Sequence, residues 1–441
     1  MIIAQIVFVI LLGVVGFLFY KRVSSIRNNI LLGKDEEIND RKDERLRNML
    51  LIAFGQKKMF KRFIPAFLHL LVYVGFLMIN LEMLEIMIDG VTGQHRFFLN
   101  FIPADLYGTF ISAFELLGLG VTIGCLVFLI RRNVVGIKRF LSKEMEGWPK
   151  MDGNIILIVE ILLMTAILFM NGADSVLQAK GHEAYHASGN FLVSSMLHPM
   201  LEGMDMGALV MIERGAWWFH IVGVLGFLIY VTYSKHLHIF LAFPNTYFAN
   251  LNPVGEMRNM PEITNEVKMM LFPETASADA PPPPESFGAK DVTDLSWKHL
   301  LSAYTCTECG RCTSSCPANI TGKALSPRKI MMDVRDRAEE LGKAKAENGA
   351  DHYDGKSLFD YITNEELRAC TTCNACIEEC PVNIEPVSII TELKRHLIMD
   401  KADAPAEWNG MFTNIENNMA PWQFSPADRF NWGEDLKNEA N

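Results

Sequence analysis

The sequence Cys306-Thr307-Glu308-Cys309-Gly310-Arg311-Cys312-Thr313-Ser314-Ser315-Cys316-Pro317 is matched in spacing by Cys370-Thr371-Thr372-Cys373-Asn374-Ala375-Cys376-Ile377-Glu378-Glu379-Cys380-Pro381. Each run has three cysteines separated by pairs of residues, then a fourth cysteine after three residues and directly before a proline. This spacing is typical of proteins that hold two [4Fe-4S] clusters, in which the fourth cysteine of a run binds the other cluster. Eight of the nine cysteines lie in these runs, and the ninth, Cys125, lies in an apolar stretch.

A tight turn lets the first three thiolates of a run reach one cluster, while the fourth, on the following helix, points toward the other. Zinc sites and a disulfide framework are the alternatives. Zinc usually takes two Cys-x2-Cys pairs for one tetrahedral site, and it has no use for eight thiolates in a repeated pattern. Cysteines grouped in this way indicate metal ligation in a reducing compartment. The predicted first set is Cys306, Cys309, Cys312 and Cys380, and the predicted second set is Cys370, Cys373, Cys376 and Cys316.

The rest of the chain is apolar enough to lie partly in a membrane, since 50% of its 441 residues are hydrophobic and only 21% are charged. We expect the long apolar stretches to be helices, because none alternates like a barrel strand. The first stretch has no basic residue before it and is followed by Lys21 and Arg22, which predicts a retained anchor. Five stretches are long enough to span a bilayer, at roughly residues 2–20, 64–88, 107–130, 153–172 and 216–240.

The basic residues predict the orientation of these spans. They cluster in the segments 21–62 and 131–150 and are almost absent from 89–106 and 173–215. The positive-inside rule therefore predicts an outside N-terminus and a cytoplasmic C-terminal part, in the cytoplasmic (inner) membrane of a bacterium or an archaeon. A net charge of −10 argues against a nucleic-acid partner.

The predicted fold class is all-α: a five-helix transmembrane bundle followed by a cytoplasmic α-helical ferredoxin domain. The bundle is expected at 1–245, and a linker at 246–289 contains the stiff spacer Pro281-Pro282-Pro283-Pro284. The domain with the two clusters is expected at 290–400. The segment 401–441 is expected to be a tail that docks a partner.

Histidines in the apolar stretches predict a haem b. His69 begins the second stretch, and His220 and His238 lie in the fifth, which an uninterrupted helix would place on one face. His69 and His238 are expected at the same depth, near the cytoplasmic side, and we predict that they are the axial ligands. The alternative is that His238 and His236 are interfacial residues, and His236 lies about 160° around the predicted helix from the His220 face.

A second haem is a further hypothesis. His220 is its candidate ligand, but Ile79 stands where a matching histidine is expected on the second stretch. His95 or one of His182, His186 and His198 would then have to supply the ligand, and a structural role for His220 is the alternative. Intramembrane carboxyls such as Glu82, Glu85 and Glu115 are candidate proton carriers, or face one another.

The apolar part resembles the cytochrome b subunit of the respiratory nitrate reductase gamma type, with five spans and histidines on the second and fifth helices. Ser234-Lys235-His236-Leu237-His238-Ile239 and Gly55-Gln56-Lys57 look more like membrane subunits related to heterodisulfide reductase and the electron-transfer-flavoprotein:quinone oxidoreductases. The cysteine-rich part resembles the helical ferredoxin subunit of heterodisulfide reductase. These resemblances imply two [4Fe-4S] clusters, haem b and a quinone of unspecified type.

The C-terminal segment resembles the part of fused relatives that leads into a further cysteine-rich domain. We therefore expect a separate partner, either a chain like the cysteine-rich catalytic subunit of heterodisulfide reductase or an electron transfer flavoprotein. Trp408, Trp422, Phe424 and Trp432 would suit an interface core, and a tail folded back on its own domain is the alternative.

The predicted function is that of an oxidoreductase subunit that relays electrons between a cytoplasmic partner, the two clusters, haem b and quinone. No catalytic residue is identified, because the sequence has neither a nucleotide fingerprint nor a recognisable catalytic triad. Two alternatives remain open. One is a quinol-fed subunit for disulfide or thiol reduction, and the other is a membrane scaffold without haem whose clusters are sensory or structural.

Overall fold

The computed structural model describes residues 2–189, 191–275, 286–434 and 436. These residues form helices and no strand, and the one isolated bridge among them joins Lys34 to Ser296. The α-helices are α1 (Ile2–Ile30), α2 (Lys42–Met49), α3 (Phe63–Thr92), α4 (Ala104–Asn133), α5 (Trp148–Ala179), α6 (His198–Leu201), α7 (Met206–Val231), α8 (His238–Tyr247), α9 (Pro261–Leu271), α10 (Trp297–Thr305), α11 (Arg311–Ser315), α12 (Pro317–Ile320), α13 (Pro327–Asn348), α14 (Asn364–Arg368), α15 (Ala375–Glu379), α16 (Pro386–Arg395) and α17 (Ala406–Asn418).

Shorter helical segments lie between and after the α-helices. The π-helical segments are Leu50–Phe54 and His396–Asp400. The 3-10 segments are Lys57–Lys61, Phe97–Asn100, Lys138–Phe140, Lys143–Met145, Ser194–Leu197, Lys235–Leu237, Pro273–Thr275, Val292–Asp294, Leu358–Asp360 and Pro426–Gly433.

Five helices, α1, α3, α4, α5 and α7, are long and apolar enough to cross a membrane, which confirms the prediction of an all-helical chain with five candidate spans. Small residues let these helices approach closely, as is common in membrane bundles. A Cβ added at Gly75 of α3 would lie 2.4 Å from Val121 of α4, and one at Gly223 of α7 would lie 2.6 Å from Leu163 of α5.

The fifth span differs from the expected 216–240. Helix α7 begins at Met206 and ends at Val231, because the chain then turns through Ser234, whose backbone N–H bonds to Val231 O and whose hydroxyl accepts from His236 N. His238 starts a separate helix, α8. The inference that His220 and His238 share one face of a single helix is therefore wrong.

The segment 286–400, called the cysteine domain below, packs directly on one end of the bundle. Its core includes Leu300, Val334 and Ile390, and is continuous with Ile26 and Val231 of the spans. We call the end of the bundle that contacts this domain the domain end, and the opposite end the far end.

Polar contacts tie the cysteine domain to the bundle. Arg22 of α1 donates two hydrogen bonds to Glu339 of α13, at 2.8 and 3.0 Å. Asn245 of α8 donates to Val382 O at 2.7 Å. Helix α8, which crosses the expected boundary between bundle and linker, therefore supports the domain directly.

The remaining predicted segments are described only in part. The spacer at 281–284 lies outside the described residues. The tail forms α17 and a 3-10 segment, and Trp422, Phe424 and Trp432 are exposed. Its predicted role in docking stays a prediction.

Candidate iron–sulfur and haem sites

The two cysteine runs have the same backbone conformation at equivalent positions. Glu308 and Gly310 have φ angles of 53° and 69°, and Thr372 and Asn374 have φ angles of 54° and 61°. Alternation of left-handed and right-handed residues turns successive N–H groups toward one side, which makes the anion-binding concavity found at many iron–sulfur sites. The third cysteine of each run then falls on a short helix, α11 or α15.

The fourth cysteine of the second run lies with the first run. Cys306, Cys309, Cys312 and Cys380 line a common cavity, and Cys376 also contributes to its wall. The grouping matches the predicted first set. The assignment of each thiolate to a cluster stays a prediction.

The predicted second set also comes together. Cys370 and Cys376 interact electrostatically with Cys316 and with Cys373. Thus each set has three cysteines from one run and the last cysteine of the other. Cys373 is exposed, whereas Cys316 and Cys376 are buried, so the second set reaches the protein surface.

The thiols fit iron–sulfur clusters better than single metal ions. Among the described residues, no three His, Cys, Asp or Glu side chains converge so as to hold one ion. A zinc ion would need four ligands at about 2.0–2.3 Å, whereas the four thiolates of a [4Fe-4S] cluster bind four different irons. The backbone N–H of Ile384 donates to Cys380 Sγ at 3.3 Å, a hydrogen bond that would also stabilise a thiolate ligand.

Burial, helped by neighbouring thiols, raises the pKa of Cys306 and of Cys376 to about 12. Both thiols are therefore protonated near neutral pH in the metal-free chain. Metal ligands must be thiolates, so iron binding must displace these protons.

Two cations from loops of the bundle and one from the cysteine domain lie near the first set. Arg139 interacts electrostatically with Cys309, and Lys58 with Cys380. Arg311 of α11 interacts with both cysteines and donates to the backbone oxygens of Lys58 and Met59. Opposite charge near an anionic cluster favours its retention and its reduced form.

Three histidines meet at the domain end, close to the first set. His69 of α3 interacts electrostatically with His238 and with Arg311. The rings of His236 and His238 are 5.4 Å apart, and His236 also interacts with His69. The His69–His238 pair is thus brought together, although the helix that was expected to carry His238 ends earlier.

The ring nitrogens of this group suit metal ligation. His238 Nδ1 lies 3.0 Å from Lys235 O, which leaves Nε2 free, and such a second hydrogen bond is usual for a ligating histidine. His69 Nδ1 is buried without a hydrogen-bond partner. Burial lowers the pKa of His236 to about 3 and that of His238 below its ordinary value, which keeps both neutral as ligation requires.

Comparison with known proteins supports the cysteine pattern. Residues 305–384 match the 4Fe-4S dicluster domain family. The chain is 28% identical over 459 residues to the probable iron-sulfur-binding oxidoreductase FadF of Bacillus subtilis, covering 97% of this chain and 60% of that protein. It is 28% identical over 430 residues to the EtfAB:quinone oxidoreductase of Syntrophomonas wolfei, covering 91% of this chain and 56% of that protein.

A shorter likeness involves the cysteine domain alone. The chain is 30% identical over 95 residues to one subunit of the ferredoxin:CoB-CoM heterodisulfide reductase of Methanosarcina mazei, which is 22% of this chain and 46% of that subunit. No solved structure matches the chain. The chain spans less than two thirds of the length of each of these relatives, which are named as oxidoreductases or as subunits of one.

His220 has a different environment from the histidines at the domain end. It is 2% exposed, and its Nδ1 lies 3.0 Å from Leu163 O. Two of the histidines named as its possible partners are engaged at the far end: His95 lies 3.8 Å from Glu213, and His198 Nε2 lies 2.6 Å from Ser175 Oγ. The second haem therefore stays a prediction without a located second ligand.

Sequence reasoning missed two features of the site. The helical-wheel argument makes His236 a poorer candidate than His238, but His236 lies in a 3-10 segment to which the 100° rotation of an α-helix does not apply. Two of the cations near the first set, Lys58 and Arg139, come from separate loops of the bundle, and only the structure shows that both lie near the same cysteines. The signal available in the sequence was the density of basic residues in these loops.

Proposed function

We propose that this chain is a membrane-bound electron-transfer subunit of an oxidoreductase. The second set of cysteines would hold the [4Fe-4S] cluster nearest to a soluble partner, and the first set the cluster nearest to the bundle. His69 and His238 would hold haem b in a bundle of the nitrate reductase gamma-subunit type. When bound, these groups supply one-electron transfer to or from a quinone.

The observation that carries the proposal is the order of the sites. The second set reaches the surface at Cys373, the first set lies under the basic loops of the bundle, and the histidine group adjoins Arg311 of the first run. An electron route from a soluble protein into the bundle requires such a sequence of sites. The chain's own residues would hold these sites in this order.

The proposed partner is an electron transfer flavoprotein or a separate cysteine-rich subunit. The name of the Syntrophomonas relative includes both EtfAB and quinone oxidoreductase, which supports the first choice and the quinone. The exposed aromatic residues of the tail, Trp422 and Trp432 among them, would suit the interface.

The proposed orientation has the N-terminus outside and the cysteine domain in the cytoplasm of a bacterium or an archaeon. The segments 21–62 and 131–150, which carry most basic residues of the span-connecting loops, both lie at the domain end. Arg62 contacts Glu379 at 3.3 Å, and Arg139 O accepts from Arg328 at 2.6 Å. The positive-inside rule then favours a cytoplasmic position for everything attached to that end.

The test is a visible spectrum of the purified full-length protein after reduction with dithionite. We expect a b-type haem signal that a short-chain quinone reoxidises, and iron at about eight atoms per chain from two clusters. His69→Ala and His238→Ala should each reduce haem content, whereas His352→Ala, in a loop of the cysteine domain, should not. A protein with no haem signal would favour the alternative of a membrane scaffold without haem. Haem retained in both variants would refute His69 and His238 as the ligand pair.

A quinol-fed subunit for disulfide or thiol reduction is the second candidate. The specific observation in its favour is the likeness of the cysteine domain to a subunit of a heterodisulfide reductase. The two candidates differ in the partner. Purification of the native complex should yield a flavoprotein under the first proposal and a second cysteine-rich chain with disulfide reductase activity under this one.

A further inference from the structure

The far end of the bundle contains a buried group of ionisable side chains that the proposed electron route does not use. The group lines a small cavity together with Met170 and Trp217. It draws on three spans, α3, α5 and α7, and on the segment after α3. The ionisable residues that line the cavity are Glu82, Glu85, Asp89, His95, Arg96, Glu213 and Arg214.

Arg96 organises this group. The residue is 5% exposed. Its guanidinium donates to Asp174 at 2.7 and 2.9 Å, to Asn171 at 2.7 Å and to Tyr107 at 3.1 Å. These bonds direct the guanidinium toward α4 and α5. A buried charge with this many hydrogen bonds forms a fixed framework.

Two other buried carboxylates at this end, Glu85 and Glu115, accept hydrogen bonds from the backbone of the far-end loops. Glu85 accepts from Phe98 N at 2.8 Å and from Tyr107 Oη at 2.6 Å. Glu115 of α4 likewise accepts from two backbone N–H groups, those of Val193 and Ser194. These carboxylates tie the far-end loops to the spans.

Glu82 is the exception. It is 2% exposed and lines the cavity, yet neither carboxylate oxygen has a hydrogen-bond partner. The nearest cation, Arg96 Nη1, is 3.8 Å from Oε1, beyond hydrogen-bonding distance. An ionised carboxylate without hydrogen bonds is costly in such a site, and a bound proton removes that cost.

The position of Glu82 along α3 separates it from the electron route. Glu82 follows His69 by thirteen positions, which at 1.5 Å per residue corresponds to about 20 Å along the helix axis. The hydrocarbon core of a membrane is about 30 Å thick. Glu82 is therefore far from the domain end and close to the far end, where Asp89 and His95 continue the group toward the surface.

We propose that Glu82 is a proton-exchanging residue, and that the cavity around it connects quinone chemistry in the bundle with water at the far end. The inference rests on the proposed quinone-linked function. A quinone that gains two electrons must also gain two protons to become a quinol, and the reverse reaction releases both. Glu82 would accept a proton from water at the far end and relay it toward a quinone in the bundle, whose oxygen takes it up on reduction, or carry a proton in the opposite direction.

Charged and polar groups from several elements face Glu82. Glu85 and Asp89 belong to the same helix, and the other facing groups come from neighbouring elements. They are His95 and Arg96 after α3, Tyr107 and Glu115 on α4, Asn171 and Asp174 on α5, and Glu213 and Arg214 on α7.

The test combines infrared spectroscopy with quinone kinetics on the full-length protein in lipid nanodiscs. We expect a redox-induced difference band of a protonated carboxyl that shifts in heavy water and is absent from Glu82→Gln. The quinone-linked rate of Glu82→Gln should fall by roughly 100-fold, the scale of one lost proton-transfer group. Glu202→Gln, which alters a carboxyl that is 66% exposed at the same end, should leave both unchanged.

Glu82→Asp provides a second variant that keeps the carboxyl if Glu82→Gln does not accumulate. Its band should appear at a shifted frequency, with part of the rate retained. A wild-type band and rate in Glu82→Gln, or an unshifted band in Glu82→Asp, would overturn the inference while the proposed electron route stands.

Failure of the proposed function has a separate signature, in which quinone does not reoxidise the reduced wild-type clusters. A pH titration of the infrared spectrum then decides the role of Glu82 alone. A titrating carboxyl band that Glu82→Gln removes supports the proton-exchanging residue, and the absence of such a band refutes it.

Discussion

The attachment of the cysteine domain to the bundle can be tested by comparing two arginines with different burial. Arg328, in the first turn of α13, is 0% exposed and donates to Arg139 O at 2.6 Å, to Ser142 Oγ at 2.5 Å and to Glu144 at 2.7 Å. Arg22, which joins the same two parts, pairs with Glu339, and these side chains are 15% and 31% exposed.

The expected magnitudes differ for a physical reason. Removing one partner of a buried ion pair costs about 3–5 kcal/mol, because the other charge stays buried without compensation. A partly exposed pair contributes about 1 kcal/mol at most, since water replaces the lost partner. Arg328→Met should therefore lower the melting temperature by roughly 10 °C, and Arg22→Met by no more than about 3 °C.

The assay is thermal unfolding of the purified full-length variants, followed by circular dichroism and by iron–sulfur absorbance. The double variant Arg328→Met/Glu144→Gln should recover part of the loss, because the uncompensated carboxylate is removed with its partner. Equal shifts for Arg328→Met and Arg22→Met would refute the reasoning that burial makes Arg328 the stronger of the two polar attachments.

Two further predictions concern the clusters. Cys380→Ser should alter the electron paramagnetic resonance signal of the cluster that Cys306→Ser also alters, and Cys316→Ser should alter the other, because Cys380 lines the cavity of the first run. Loss of the same signal in Cys380→Ser and Cys370→Ser would contradict the prediction that the fourth cysteine of each run binds the cluster of the other run. Lys298→Met should lower the midpoint potential of the first-set cluster, because it removes a positive charge that favours the reduced state. Lys298 is buried and interacts electrostatically with Cys380. Its Nζ donates to the neutral acceptors Asn245 and Ser302, both at 2.7 Å. Lys343→Met, at a largely exposed position, is the control, and equal potential changes in potentiometric titration would contradict the prediction.

The helical fold could be predicted from the sequence because each span contains an apolar run long enough to cross a membrane. The start of the fifth span could not be predicted in this way, since Glu213 and Arg214 interrupt its apolar pattern. In the structure Glu213 is 1% exposed and accepts a hydrogen bond from Tyr185 Oη at 2.8 Å. The carboxylate is therefore buried with a hydrogen-bond partner and does not mark the end of the helix at the membrane surface. Hydropathy alone cannot distinguish such a pair from the end of a span.

The grouping of the cysteines followed from spacing, but the conformation of the loops did not. Gly310 and Asn374 are residue types that often adopt positive φ, whereas Glu308 and Thr372 are not. The same left-handed conformation recurs at both positions, 64 residues apart, so it belongs to the cysteine loop and not to the residue type. The arrangement of the histidines was also beyond local reasoning, since the turn at Ser234 that brings His236 beside His238 depends on a break between helices α7 and α8.

The electrostatic arrangement favours the first set as the link between the cysteine domain and the bundle. A cluster bound there would gain negative charge on reduction, and the nearby cations, the buried Arg311 and the half-buried Lys58 and Arg139, would compensate it. Two of these cations belong to loops of the bundle, so undocking of the domain would remove them and disfavour the reduced state of the cluster. Under the proposed function, docking and electron transfer would thus be coupled, because the loops that hold the domain against the bundle are also the loops whose cations would favour reduction of the adjoining cluster.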